Sequence, residues 1–336
     1  MPTRTRTDYG HRYADRELYA IEKKLKRVYD RAYASMKKEA DKFFVSFEVR
    51  ESKMLKKLES GEITQEKFDE WRENLLLKNT KYTKTVNSLA EEMTKTNQMA
   101  RDITNGSLGD IYAENYNWEA FEIFTESGRD IRFDLVDSQT IERLIVEGDM
   151  DLLPNSIPTA SIDIAKDLAW NKKKINETLT SSILRGDSVD KIAENLRQVT
   201  NMNESASVRN ARTMVTAAEN GGRQDRMTEA VDKYGIEMKK TWLATLDART
   251  RDAHADLDGQ SVDVDKKFES ALGKIEYPGD PTANPANVYN CRCTLIGGIK
   301  GFTRDYSRRQ MSKGLKGMSY EEWKAEAAKR LKEKSK

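Results

Sequence analysis

From Asp15 to Arg50 the chain runs without a glycine or a proline, and Leu18, Ile21, Leu25, Val28 and Ala32 recur there at spacings of three and four. That spacing draws one apolar stripe along a helix and leaves the other faces to solvent. A helix of this length is too long to sit as one element of a small compact globule, so the N-terminal part is committed to long-helix architecture. Charged residues make up 34% of the chain, which suits exposed helices better than one large core. In "ESGEITQEKFDEW", Gly61 breaks the first helix and Thr64 can cap the next. A second long helix is expected from Gln65 into the Asn97–Thr104 region, followed by a loop over 105–110 and a short aromatic helix in "IYAENYNWEAFEIF".

The middle of the chain repeats the helical grammar. Ser138 precedes "QTIERLIVEG", which Gly148 stops, and "MDLLPNSIPTA" with Pro154 and Pro158 is expected as a linker or extended arm. Ser161 is expected to open a helix that Gly186 ends. Ser188 opens a further one, and a long small-residue helix with two tolerated glycines runs to Gly235. Beyond Gly235 the pattern changes. "EMKKTWLATL" and "NCRCTLIGGI" have strand composition, and between them lie polar turns and the rigid "YPGDPTANP". Near the end, Ser319 with Glu322 three residues on forms a capping box before an amphipathic helix. The expected class is mainly α: long N-terminal helices, then a small α+β domain, then a C-terminal helix. The expected divisions are 1–150, a linker and helix over 151–187, a domain over 188–305 with its α+β part at 237–300, and a basic tail over 306–336.

No apolar run approaches a membrane span, and "MPTRTRTDYGHRY" lacks the apolar core of a signal peptide, so folding in a cytoplasm is expected. The net charge of +2 is uneven: residues 1–60 carry 16 basic and 10 acidic side chains, and residues 300–336 carry 12 and 5. Basic ends could touch DNA or acidic partners, but solvation of helix faces accounts for such modest excesses.

The two cysteines, Cys291 and Cys293, fall one residue apart and cannot make a disulfide framework. On a strand they would share a face, with Arg292 opposite. Three uses are open. They can pack as small buried thiols, which is the favoured reading. They can join His254 in a metal site, with Asp247, Asp252 or Asp258 as a fourth ligand, although zinc knuckles usually separate their cysteines by two residues. Or Cys293 and His254 can form a nucleophile pair, for which no oxyanion-hole motif is present. The Asp247, Asp252, Asp256 and Asp258 cluster lacks the spacing and closing Glu of an EF-hand and reads as turn chemistry. Arg249 or Arg251 is expected to bridge to the "PGDP" loop through Asp280 or a loop carbonyl.

Taken in order, Trp242, Asp247, Arg249, Thr250, Arg251, His254, Leu257, Asp258, Gly259, Phe268, Pro278, Gly279, Asp280, Pro281, Asn290, Cys291, Arg292 and Cys293 match a recurring run. It resembles the phage Mu F-like domain of tailed-phage minor head, or head morphogenesis, proteins. The helix "ARTMVTAAENGGRQDRM" resembles that family's Ala-Arg-Thr helix. The likeness covers about residues 188–300 and is only generic before them. It implies a structural head protein of low copy, not an enzyme. Such a protein associates with the portal, enters the procapsid at assembly and affects DNA packaging or ejection. Scaffold protein and DNA are further candidate partners. The expected location is the virion head near the portal, after synthesis in the host cytoplasm, with no membrane during assembly. The motif is then mainly framework, with no cofactor expected; a structural zinc on His254, Cys291 and Cys293 stays open. Some members carry a toxin or enzyme domain after the motif, and the roughly 30 residues that follow here are too few for one. The competing reading is a metal-dependent hydrolase built on His254, Cys291, Cys293 and the aspartates.

Overall fold

In the computed structural model, residues 8–127, 135–136, 139, 141, 162–301 and 318–334 are described. The expected class holds. The first half is built from α1 (Tyr9–Glu59), α2 (Gln65–Lys78), α3 (Thr80–Asn105) and α4 (Leu108–Ser127), and α5 (Ile164–Arg185) and α6 (Val189–Tyr234) follow. Then come β1 (Met238–Leu243), a single turn α7 (Asp252–Ala255), β2 (Ser261–Asp263), β3 (Phe268–Ser270) and β4 (Gly273–Ile275). A second single turn α8 (Pro285–Val288), β5 (Thr294–Ile299) and α9 (Tyr320–Lys334) complete the order.

Two compact units emerge, each assembled from separate segments: one from residues 23–102 and 161–208, the other from 1–22, 103–160 and 209–336. The first unit is all helix. Its α1 stripe buries Leu25, Tyr29, Ala32, Met36, Ala40, Phe43 and Phe47. A polar layer crosses this core: Tyr29 donates to Asn97 Oδ1 at 2.7 Å, and Asn97 Nδ2 donates to Asn203 Oδ1 at 2.9 Å and Asp167 Oδ1 at 3.0 Å. These buried donors have their acceptors, so the layer fixes helix register.

Three helical expectations need correcting. The helix expected from Gln65 to about Thr104 is two helices, because Asn79 leaves the helical region at φ −85°, ψ 105°. Its Oδ1 accepts from the backbone N–H groups of Lys81 and Tyr82 at 2.9 and 3.3 Å and so starts α3. The expected loop at 105–110 is a brief turn, since α4 already begins at Leu108. The helices expected after Ser188 and up to Gly235 are one, α6. Gly186 ends α5 in the left-handed region at φ 70°, as expected. That helix is capped by Asp163, whose carboxylate accepts from Lys166 N–H at 3.1 Å. The helix expected from Ser138, the arm with Pro154 and Pro158, and Ser161 lie outside the described residues.

The second unit holds the sheet. β1 pairs antiparallel with β5, with Trp242 opposite Leu295 and Met238 opposite Ile299, and β2 pairs with the other edge of β1. The two strand-like runs of the sequence are therefore neighbours. A separate hairpin, β3–β4, sets Phe268 opposite Ile275. The apolar core joins Phe121 and Phe124 of α4, Met227 and Ala230 of α6, and Trp242, Phe268, Ile275, Cys291 and Cys293. Ser319 and Glu322 make the expected capping box, Ser319 N–H to Glu322 Oε2 at 2.8 Å and Glu322 N–H to Ser319 Oγ at 3.3 Å. α9 then seats Tyr320 and Trp323 against Trp118 and Phe121, with ring centroids 5.1 Å (Tyr320–Trp118) and 5.8 Å (Trp323–Phe121) apart.

Candidate functional site

The two cysteines do not lie on a strand. Asn290 turns the chain in the left-handed region at φ 57°, residues 291–293 are irregular, and β5 starts only at Thr294. The reason is that α6 takes this segment's backbone hydrogen bonds. Thr213 Oγ1 accepts from Asn290 N–H at 2.8 Å, and Thr216 Oγ1 donates to Cys291 O at 2.8 Å. Asn220 Nδ2 donates to Cys293 O at 3.3 Å while its Oδ1 accepts from Leu295 N–H at 2.6 Å. Arg223 Nη1 donates to Leu295 O at 3.0 Å. Residues 213, 216, 220 and 223 share one helical face by their three- and four-residue steps. That polar ladder stands where a neighbouring strand would otherwise be. Sequence reading saw only a small-residue face here; the same spacing of Thr, Thr, Asn and Arg was its legible signal.

Arg223 is buried and also serves a charged cluster. Its guanidinium pairs with both oxygens of Asp8 and donates to Asn115 Oδ1 at 3.0 Å. Burial would raise the Asp8 pKa, but Arg223 overrides it and holds the carboxyl at about 2. His11 Nδ1 lies 2.8 Å from Glu219 Oε1; burial disfavours its charge, and Glu219 nevertheless lifts it to about 9. Glu219 also accepts from Thr294 Oγ1 at 2.5 Å.

Most motif residues are consumed in framework. Trp242 is fully buried between the edges of His254 and Phe268, with centroids at 5.3 and 5.4 Å. Asp258 Oδ1 accepts from Ala244 N–H at 2.9 Å and Gly259 N–H donates to Trp242 O at 2.8 Å, so "LDG" returns the chain to β1 over a buried Leu257. Thr250 Oγ1 donates to Thr245 O at 3.2 Å. Asp280 is buried and accepts from Glu276 N–H, Thr282 N–H and Thr282 Oγ1 at 3.0, 2.8 and 2.6 Å, holding Pro278 and Pro281 in one turn. Gly279 has φ 88°, and a Cβ there would lie 2.7 Å from Ala217 N, so only glycine lets this loop rest on α6.

The expected bridge from the arginines to "PGDP" is not made. Arg251 donates instead to Tyr289 O, and Arg249 is exposed with its backbone N–H on Asp247 Oδ1 at 2.9 Å. The carboxylate link belongs to Arg292, whose fork meets Asp247 at 2.5 and 2.6 Å and holds that carboxyl well below its ordinary range. Asp280 is buried inside its own turn, where it accepts from Glu276 and Thr282 and not from an arginine.

His254, Cys291 and Cys293 do converge. Their ligand atoms lie within 4.8 Å of one another and all three residues are buried. His254 Nδ1 stands 3.5 Å from Cys291 Sγ and 3.6 Å from Cys293 Sγ, and both thiols are free of disulfide. His254 Nε2 meets Asn287 Oδ1 at 2.9 Å, while Asn287 Nδ2 donates to Gly273 O at 3.1 Å. The hydrogen bond between the two thiols lowers Cys293, helped by His254, and raises Cys291, which burial pushes up further. Asp252, Asp256 and Asp258 are exposed, and Asp247 is bound to Arg292, so the carboxylates stand apart from this cluster. Asn287 was missed in the sequence; a lone Asn behind a proline carries no pattern.

Residues 173–296 match the family described as Phage Mu protein F like protein. The chain is also 22% identical, over 96% of its length and 98% of the other's, to the protein named "Minor head protein GP7" of Bacillus phage SPP1. Residues 173–296 form a Mu F-like region, and the chain as a whole resembles a minor head protein. The match includes the second half of α5, all of α6 and every strand up to the middle of β5, so the helical ladder belongs to the Mu F-like region as much as the Cys motif does. Two further relatives are similar to part of the chain. The protein named "NAD(+)--arginine ADP-ribosyltransferase EFV" of Enterococcus faecalis is 31% identical over 174 residues, half of this chain and 35% of that one. The "Uncharacterized protein YqbB" of Bacillus subtilis is 27% identical over 205 residues, 55% of this chain and 62% of that one. No solved structure matches. The likeness to a minor head protein supports a structural role in a phage head, and among the described residues no helix is long and apolar enough to cross a membrane.

Proposed function

We propose that this minor head protein joins the procapsid with the portal, remains in the head beside it, and affects how DNA is packaged or ejected. The observation that supports it is the end-to-end likeness to the SPP1 minor head protein, which spans both units and not the Mu F-like region alone. Scaffold protein and DNA are further contacts on this reading, and the role is structural, not enzymatic. The framework duties of the motif favour that. Asp247, Asp258 and Asp280 are bound to Arg292 or to backbone amides, and a hydrolytic site would need such carboxylates free. The transferase among the relatives shares only 35% of its own length with this chain, and its named activity is a statement about that protein. The test is co-expression with the portal of the same phage and capture through the portal. Stoichiometric co-purification that survives nuclease treatment is expected. Recovery of each protein alone, under conditions where procapsids still form, would overturn the portal assignment.

A further inference from the structure

The buried cluster of His254, Cys291 and Cys293 is not used by a structural head role, and its geometry exceeds what packing requires. Asn287 Nδ2 is committed to Gly273 O, which turns Asn287 Oδ1 toward the imidazole. An oxygen there accepts, so His254 Nε2 carries the proton and Nδ1 presents a bare lone pair. That lone pair faces two sulfurs, at 3.5 and 3.6 Å. One lone pair can take only one S–H donor, so the imidazole alone does not serve both sulfurs. A cation satisfies all three atoms at once. Tetrahedral arms of about 2.3 Å to sulfur and about 2.0 Å to nitrogen set sulfur and nitrogen about 3.5 Å apart. The observed separations are those.

We propose that His254 Nδ1, Cys291 Sγ and Cys293 Sγ ligate one zinc ion, with Asn287 as the positioning residue that fixes the imidazole tautomer. Two thiolates and one neutral imidazole suit zinc over hard cations, and two thiolates balance its charge. The outer hydrogen bond from the ring N–H to an amide oxygen is the arrangement that metal-bound histidines use. Among the described residues no carboxylate joins the cluster, so these three side chains are the proposed protein ligands. The three ligand residues are 2–3% exposed, so the ion is closed to substrate and acts as a cross-link. It ties α7 to the irregular lead of β5, in a segment whose strands β2, β3 and β4 have three residues each. Such a small segment gains folding free energy from a metal.

The test uses the untagged full chain, purified without chelator. Elemental analysis is expected to find about one zinc per chain. Cys291 and Cys293 are the only cysteines, so a thiol reagent reads this site alone. Both are expected to react only after a strong chelator is added. Co2+ in place of zinc is expected to show thiolate charge-transfer and tetrahedral d–d bands. Asn287→Leu keeps every ligand and is expected to weaken zinc binding by roughly 10- to 100-fold, an effect a packing role would not produce. Cys293→Ser is expected to lose the zinc, and should it fail to fold, the wild-type measurements still decide. A folded wild-type chain that carries no metal, takes up neither Zn2+ nor Co2+, and whose thiols react equally with and without chelator would overturn the proposal.

Discussion

Replacing Arg223 with alanine is the sharpest test of how α6 holds the Mu F-like region. The side chain is fully buried and fills four acceptors: both oxygens of Asp8, Asn115 Oδ1 and Leu295 O. Removing one member of a buried ion pair costs about 3–5 kcal/mol, because the other charge stays buried and unpaired. The Asp8 carboxyl supplies a second, pH-dependent signature. It is held at about 2, against an ordinary 3.8, and a depression of that size is worth about 2 kcal/mol. For an acid whose folded pKa is depressed, the stability is present above 3.8 and is lost as pH falls through about 2. Without Arg223, burial raises the Asp8 pKa against only the backbone N–H and charge of His11, so the variant loses less stability on acidification than the wild type. The stability loss should therefore be about 3–5 kcal/mol near neutral pH and shrink as pH is lowered toward 3. Urea unfolding followed by tryptophan fluorescence, at several pH values, measures both. Asp8→Asn combined with Arg223→Met should recover part of the loss. A loss below about 1 kcal/mol, or one of equal size at every pH, would refute the reasoning.

Gly279→Ala should destabilise by roughly 1–3 kcal/mol from its φ alone, with more from the 2.7 Å approach to Ala217 N; a thermal melt unchanged from wild type would contradict that. Asn220→Ala leaves the Leu295 N–H and the Cys293 carbonyl unpaired under α6, for an expected cost of about 1–3 kcal/mol by urea unfolding. His11 is lifted from 6.5 to about 9 by Glu219 against the pull of burial. Its contribution is then complete below pH 6.5 and lost as pH rises through about 9, and His11→Gln should abolish the pH dependence in that window.

Much of this was legible from the chain. The α1 stripe, the Gly186 stop, the Ser319 capping box and the pairing of "TWLAT" with "CTLIGG" all follow from local chemistry that the fold does not override. The break at Asn79 was not seen because no glycine or proline marks it; an Asn that leaves the helix to cap the next one looks, in sequence, like one more polar surface residue. The cysteines were placed on a strand because their neighbours are β-formers, and helix side chains from over 70 residues away claimed their carbonyls instead. Both thiols nevertheless come together at His254. Lys240 shows the same limit: beside exposed Lys239 it reads as solvated, yet it is fully buried, donates to Gln224 Oε1 at 3.1 Å and is lowered by burial to about 8. Long-range partners decide such positions, and a window of sequence does not contain them.

The most direct test of the central claim is quantitative mass spectrometry of purified procapsids and mature virions of the phage that encodes this chain, with cross-linking before digestion. The account predicts the chain in both particles, in few copies relative to the major capsid protein, with cross-links to the portal. Its presence in infected cells but absence from procapsids and virions alike would contradict the account.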